Sequence, residues 1–140
     1  MRFWDSSALV PLLVGQPTSS RVDDWLADDA AIAIWTLTPV ELSSALQRLL
    51  REGSLTEALA DTTERRMLEL VQSCHLVVSI EHVKSQARRL LRLHPLRAAD
   101  APQLAAAVEW ASGRPHGRTL HTLDDRLALA ARREGFDVPA

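Results

Sequence analysis

Arg2-Phe3-Trp4-Asp5-Ser6-Ser7-Ala8-Leu9-Val10 opens the chain with a short apolar run, a carboxylate and then a segment of helical character. Arg2–Asp5 reads as a strand and Ser6–Val14 as a helix that Gly15 and Pro17 end. The same hand-over recurs down the chain. Ala31–Trp35, Leu76–Ile80 and Thr119–Thr122 are further candidate strands, and Phe136–Val138 is a candidate fifth. Between them lie helical segments at Thr18–Asp29, Thr38–Glu52, Leu55–Gln72, Glu81–Leu93, Ala99–Ser112 and Asp124–Glu134. Strands alternating with longer helices predict an α/β protein: a three-layer α/β/α sandwich around a central parallel sheet of about five short strands. No repeat, low-complexity tract or linker interrupts the pattern, so residues 1–140 are expected to form a single domain.

Composition narrows the function classes. Hydrophobic residues make up 46% and charged residues 24%, which argues against intrinsic disorder. Aromatics are only 4%, with no tyrosine, so a surface that stacks bases on several exposed rings is disfavoured. The 16 basic and 18 acidic residues leave a net charge of −2, which is no basic nucleic-acid coat. Cys74 stands alone, so neither an internal disulfide nor a cysteine-based zinc site is available. No apolar run approaches the ~18–20 residues of a membrane span, and Asp5 interrupts the N-terminus too early for a secretory signal. The expectation is a soluble, cytoplasmic protein with no membrane partner.

In an open parallel sheet, ligands bind outside the carboxyl ends of the strands. Four acids fall there: Asp5 after the first strand, Glu41 in the first turn after the second, Asp100 opening the alanine-rich helix and Asp124 after the fourth strand. Each also has a purely structural reading. Asp5 and Asp100 suit helix N-caps, and Thr38, Pro39 and Glu41 suit a cap, a first-turn proline and a capping-box acid. Thr122 and Asp125 have capping-box spacing, which leaves Asp124 less easily explained as a cap. Taken together, four carboxylates with no lysine among them would repel one another unless a cation intervened. An all-oxygen set suits a hard cation such as Mg²⁺ or Mn²⁺, and metal-assisted phosphodiester hydrolysis is the chemistry that follows.

The motifs resemble those of PIN-domain ribonucleases, in particular VapC-type toxins. Asp5-Ser6-Ser7-Ala8-Leu9-Val10 is similar to their first motif, and Thr38-Pro39-Val40-Glu41 with Leu42 and Ala45-Leu46 to the second. Leu96-Arg97-Ala98-Ala99-Asp100-Ala101 resembles the third, and Thr122-Leu123-Asp124 with Leu127 and Ala130-Ala131 the fourth. The four acids are spaced by 36, 59 and 24 positions, in the family's order and across essentially the whole chain.

The resemblance implies Mg²⁺- or Mn²⁺-dependent RNA cleavage, a homodimer, and a small cognate antitoxin that blocks the site. It makes Asp5, Glu41, Asp100 and Asp124 the catalytic and metal-binding quartet, with Ser7 and Thr122 as supporting residues. Asp5 and Asp100 would bind the principal ion and Asp124 would complete that site directly or through water. Glu41 would hold a second ion or orient the attacking water, with a 5′-phosphate and a 3′-hydroxyl as the products' ends. Asp125 adjoins Asp124, and the Thr-x-Asp spacing favours Asp124. Trp4 and His121 depart from the usual aliphatic and small apolar residues.

Other readings have specific requirements. A housekeeping PIN-type RNA-processing nuclease would share the site without the toxin context, and a catalytically inactive PIN-like binding module would be expected to have lost acids. A phosphoacceptor domain needs a lysine from a late strand, whereas the only lysine is Lys84. A haloacid-dehalogenase-type phosphatase needs Asp-x-Asp, whereas Asp5 is followed by Ser6-Ser7. The five histidines show no i,i+4 metal pair and read as structural or exposed. Trp25, Trp35 and Trp110 read as packing residues. Lys84, Arg88, Arg89 and Arg92 read as a solvated helix face that, with Arg97, offers contact to an RNA backbone. With the quartet set aside, 16 basic residues face 14 acids, so the remainder is +2 and RNA affinity is expected to be modest and metal-dependent.

Overall fold

A computed structural model describes all 140 residues, Met1–Ala140. The elements run β1 (Arg2–Trp4), α1 (Ser6–Leu13), α2 (Ser19–Asp28), β2 (Ile32–Trp35), α3 (Thr38–Arg51), α4 (Glu57–Ser73), β3 (His75–Val77), α5 (Ile80–Leu93), α6 (Asp100–Trp110), β4 (Leu120–His121) and α7 (Asp125–Glu134). The sheet has four strands, all parallel, in the order β3-β2-β1-β4. The expected fifth strand is reduced to a single parallel bridge between Thr119 and Asp137. The left-handed turn at Gly135 and Pro139 leave that segment too short to extend the pairing.

Strand residues alternate between two cores, which is the physical basis of the three layers. Phe3, Ala33, Trp35 and Val77 face α5, α6 and α7, packing on Val83, Leu90, Leu104 and Leu127. Trp4, Ile32 and Ile34 face the other way, against Leu9, Val22, Trp25 and Leu42 of α1–α3 and Met67 of α4. α6 lies close to the sheet because it presents alanines: Ala101, Ala105, Ala106 and Ala107 are fully buried. No helix is long and apolar enough to cross a membrane.

His121 pairs directly with Trp4 across β4 and β1, and its ring stacks on Trp25 at 4.5 Å and 19°. It is fully buried, and neither ring nitrogen has a hydrogen-bond partner. The departure from a small apolar residue is thus absorbed by an aromatic cluster in the α1–α4 core. His94 is buried too, with Nε2 2.7 Å from Glu134 Oε1.

Candidate active site

β1 and β4 are neighbours while β2 lies on the other side of β1, so the sheet order reverses between β1 and β4. Asp5 follows directly on β1, and Asp124 lies three positions past the end of β4. Asp5, Glu41, Asp100 and Asp124 all line one cleft of about 460 Å³. Asp125 is exposed and does not line it.

Asp5 is both a cap and a buried carboxylate. As N-cap of α1 it accepts from the Ser7 backbone N–H through Oδ2 at 3.2 Å. The same oxygen accepts from the Ser7 hydroxyl at 2.5 Å and from Thr122 Oγ1 at 2.9 Å. Each hydroxyl has one proton, so the 3.2 Å approach of Ser7 Oγ to Thr122 Oγ1 is packing rather than a further bond. Their lone pairs accept the Leu123 and Asp124 backbone N–H groups at 2.9 and 3.0 Å. These hydroxyls therefore tie the β1–α1 hand-over to the β4–α7 hand-over. Oδ1 of Asp5 has only a long contact, 3.4 Å, from Ser6 Oγ. Three donors fix one oxygen and the other stays available. Burial pushes the Asp5 carboxyl up despite these donors.

Glu41 is not a capping-box acid. α3 begins one residue earlier than the box requires: Leu37 is the N-cap, without a side-chain bond, and Thr38 is already helical and fully buried. The carboxylate instead reaches across the cleft, where Oε2 accepts from Ser6 Oγ at 2.8 Å and Oε1 from Gln103 Nε2 at 2.9 Å. The same amide donates to Thr38 Oγ1 at 3.1 Å. Burial raises the Glu41 carboxyl, and the charges of Asp5 and Asp100 raise it further.

Asp100 is the first residue of α6, with Ala99 as the cap, so it is not itself an N-cap. Its Oδ2 accepts from the Arg97 backbone N–H at 3.3 Å. Burial raises its carboxyl and Asp124 adds to the shift, while the Arg97 and Arg126 charges oppose it. Asp124 does turn out to be a cap: its Oδ1 accepts from the Leu127 backbone N–H at 2.8 Å. The Thr122–Asp125 capping box does not form, because the Thr122 hydroxyl is committed to Asp5 and the Asp124 N–H. Asp100 Oδ1 and Asp124 Oδ2 make no hydrogen bond within the chain.

Two residues of this network were not singled out by sequence: Ser6, whose hydroxyl proton goes to Glu41 and leaves only a 3.4 Å approach to Asp5, and Gln103, which links α6 to the start of α3. Gln103 carried a signal, since it lies three positions after Asp100 and is polar amid buried alanines. The basic face of α5 is partly committed elsewhere. Arg89 pairs with Glu134 at 2.7 Å and Lys84 with Glu81 at 3.0 Å.

The donor set fits a divalent cation in charge and chemistry. Three of the four carboxyls are held above their ordinary range, no lysine neutralises them, and at least three carboxylate oxygens are uncommitted. No three His, Cys, Asp or Glu side chains form a ready cage for an ion. Mg²⁺ does not need one, because it keeps several waters and binds through one or two carboxylates plus substrate phosphate.

The family model described as "PIN domain" matches residues 2–133. Ribonuclease VapC45 and Ribonuclease VapC49, each from a strain of Mycobacterium tuberculosis, are 34% identical over 137 residues, covering 97% of this chain and 92% of theirs. Among solved structures, FitAcB from Neisseria gonorrhoeae superposes with a TM-score of 0.69 at 19% identity, covering 100% of this chain and 97% of that one.

Proposed function

This chain belongs to the PIN-domain family, and from that premise we propose that it is a divalent-metal-dependent endoribonuclease, the toxin of a VapC-type toxin–antitoxin pair. The observation that carries this reading is the convergence of four carboxylates on one cleft at the carboxyl ends of parallel strands, with no basic partner in ion-pair contact. The relatives named as ribonucleases support RNA as the substrate. Mg²⁺ or Mn²⁺ is the cofactor that oxygen-only donors suit.

Asp5, Asp100 and Asp124 would hold the principal ion: Asp100 Oδ1 and Asp124 Oδ2 carry no hydrogen bond, and Asp5 Oδ1 carries only the 3.4 Å contact from Ser6. When bound, the ion lowers the pKa of its water and neutralises charge on the phosphoryl oxygens. Ser7 and Thr122 fix the Asp5 carboxylate, so its orientation costs little when substrate arrives. Glu41, steadied by Ser6 and Gln103 and biased towards accepting a proton by burial, would orient the attacking water or hold a second ion.

The toxin role, a cytoplasmic location and a small antitoxin as partner follow from the resemblance to VapC-type proteins. A homodimer is supported by exposed Leu37, Val40, Val78 and Ile80, which lie on segments joined by the Thr36 N–H to Val77 carbonyl bond. Purified protein is expected to cleave RNA only with Mg²⁺ or Mn²⁺, and Asp5→Ala and Asp100→Ala to lose that activity. Cleavage by either variant at the wild-type rate would overturn the assignment.

A further inference from the structure

Besides its acids, the cleft contains two arginines, Arg48 and Arg97. Both are exposed and neither takes part in any ion pair. They stand on different walls. Arg97 lies in the turn before α6, its backbone N–H already on Asp100. Arg48 lies on α3, on the face that carries Glu41: Glu41, Ser44, Ala45 and Arg48 all line the cleft, at helical spacings of three, four and seven. At 1.5 Å per residue, Arg48 branches from the helix about 10 Å beyond Glu41. Between the two, α3 offers only the small side chains of Ser44 and Ala45, which leave the cleft open along the helix.

We propose that Arg48 and Arg97 bind backbone phosphates on either side of the scissile bond of a single RNA strand, so that the strand leaves the acids along the Glu41–Ser44–Ala45–Arg48 face of α3. The inference rests on the ribonuclease reading above and adds the substrate's path to it. A planar guanidinium without a carboxylate partner is free to make bidentate contacts to phosphate. The two cations also offset the repulsion that four carboxylates would exert on an approaching polyanion before the metal-filled centre is reached.

A structural alternative exists for Arg48: it sits in the last turn of α3, where cations complement the helix dipole. Arg51 occupies the same turn, is exposed and does not line the cleft, so it is the internal control.

The test uses the full chain with Mn²⁺ and a fluorophore–quencher RNA carrying a randomised single-stranded core. kcat and KM are measured over a range of salt for wild type, Arg48→Gln, Arg97→Gln, Arg48→Lys and Arg51→Gln, with melting temperatures as folding controls. Loss of one phosphate contact on a single strand makes the plot of log(kcat/KM) against log salt shallower by about 0.7. If the effect vanishes near about 1 M, each Gln variant is about eightfold less efficient at about 50 mM salt. The loss is expected in KM with kcat nearly unchanged, as for contacts made equally in ground and transition states. Arg48→Lys restores the slope, and Arg51→Gln matches wild type.

If wild type cleaves while Arg48→Gln and Arg97→Gln keep its KM and slope, this inference falls and the nuclease reading stands. The inference also falls if Arg51→Gln shifts both as much as Arg48→Gln. If wild type leaves the RNA intact under these conditions, the nuclease reading falls and this inference with it.

Discussion

His121→Phe tests whether the aromatic cluster beneath the cleft is sealed against protons. Burial drives the His121 imidazole from 6.5 down to about 4. Among nearby charges Arg2 adds to the lowering, while Asp28 and Asp29 oppose it. Above pH 6.5 the ring is neutral in both folded and unfolded chains. As pH falls below 6.5 the unfolded chain takes up a proton that the folded chain refuses, so stability is lost by about 1.4 kcal/mol per pH unit. The loss reaches about 3 kcal/mol near pH 4, and about 2 kcal/mol of it is already present near pH 5.

Asp5, Glu41 and Asp100 act in the opposite sense, because their folded carboxyls hold protons more readily than the unfolded ones. The comparison of wild type with His121→Phe cancels those contributions. Phenylalanine keeps a ring between Trp4 and Trp25 and removes both unpartnered nitrogens. Urea unfolding followed by tryptophan fluorescence, at about pH 7.5 and about pH 5, is expected to show the variant gaining about 2 kcal/mol on wild type as pH falls. An equal difference at both pH values would refute the claim that His121 is held neutral by burial.

Asp5→Asn keeps oxygen acceptance at the α1 cap but removes a charge that burial disfavours. In EDTA at neutral pH it is expected to melt above wild type, and to gain little of the Mn²⁺-dependent rise expected of wild type. Gln103→Leu preserves volume but frees Glu41 and Thr38 of their shared donor, so kcat is expected to fall about 10- to 100-fold while the melting temperature changes little. Gly135→Ala forces a side chain onto a residue at φ 102°, so the strain is in the backbone, since the Cβ would make only ordinary contact with Pro115 Cγ at 3.6 Å. Chemical denaturation should report a loss of about 1–2 kcal/mol, with the cleft's activity unaffected.

Local pattern made the order of elements legible. The expected strands overran the ladder by one residue at Asp5, Ala31, Thr119 and Thr122, while the third began one residue late and ran three past Val77, because residue type alone does not mark the last ladder bond. The fifth strand shows the limit of that pattern: Phe136 is apolar and buried, yet it packs into the α5–α7 core instead of pairing. The caps show a second limit. Glu41 and Thr122 each had a plausible local partner within three residues, yet a distant partner won, whereas Asp124, the acid less easily read as a cap, became one. A buried carboxylate gains more from a charge-assisted hydroxyl than an exposed cap gains from its backbone N–H.

The sequence by itself determined the layers, the carboxylates that end strands or open helices, and a chemistry suited to a hard cation, because hydrophobic period and residue type act over a few neighbouring positions. Only the tertiary structure decided which donors hold those carboxylates. Thr122 reaches Asp5 across 117 positions and Gln103 reaches Glu41 across 62. Such pairs depend on how closely α6 approaches the sheet over its alanines and on where β1 and β4 end side by side. These distances are set by packing of the whole chain, and no local spacing encodes them.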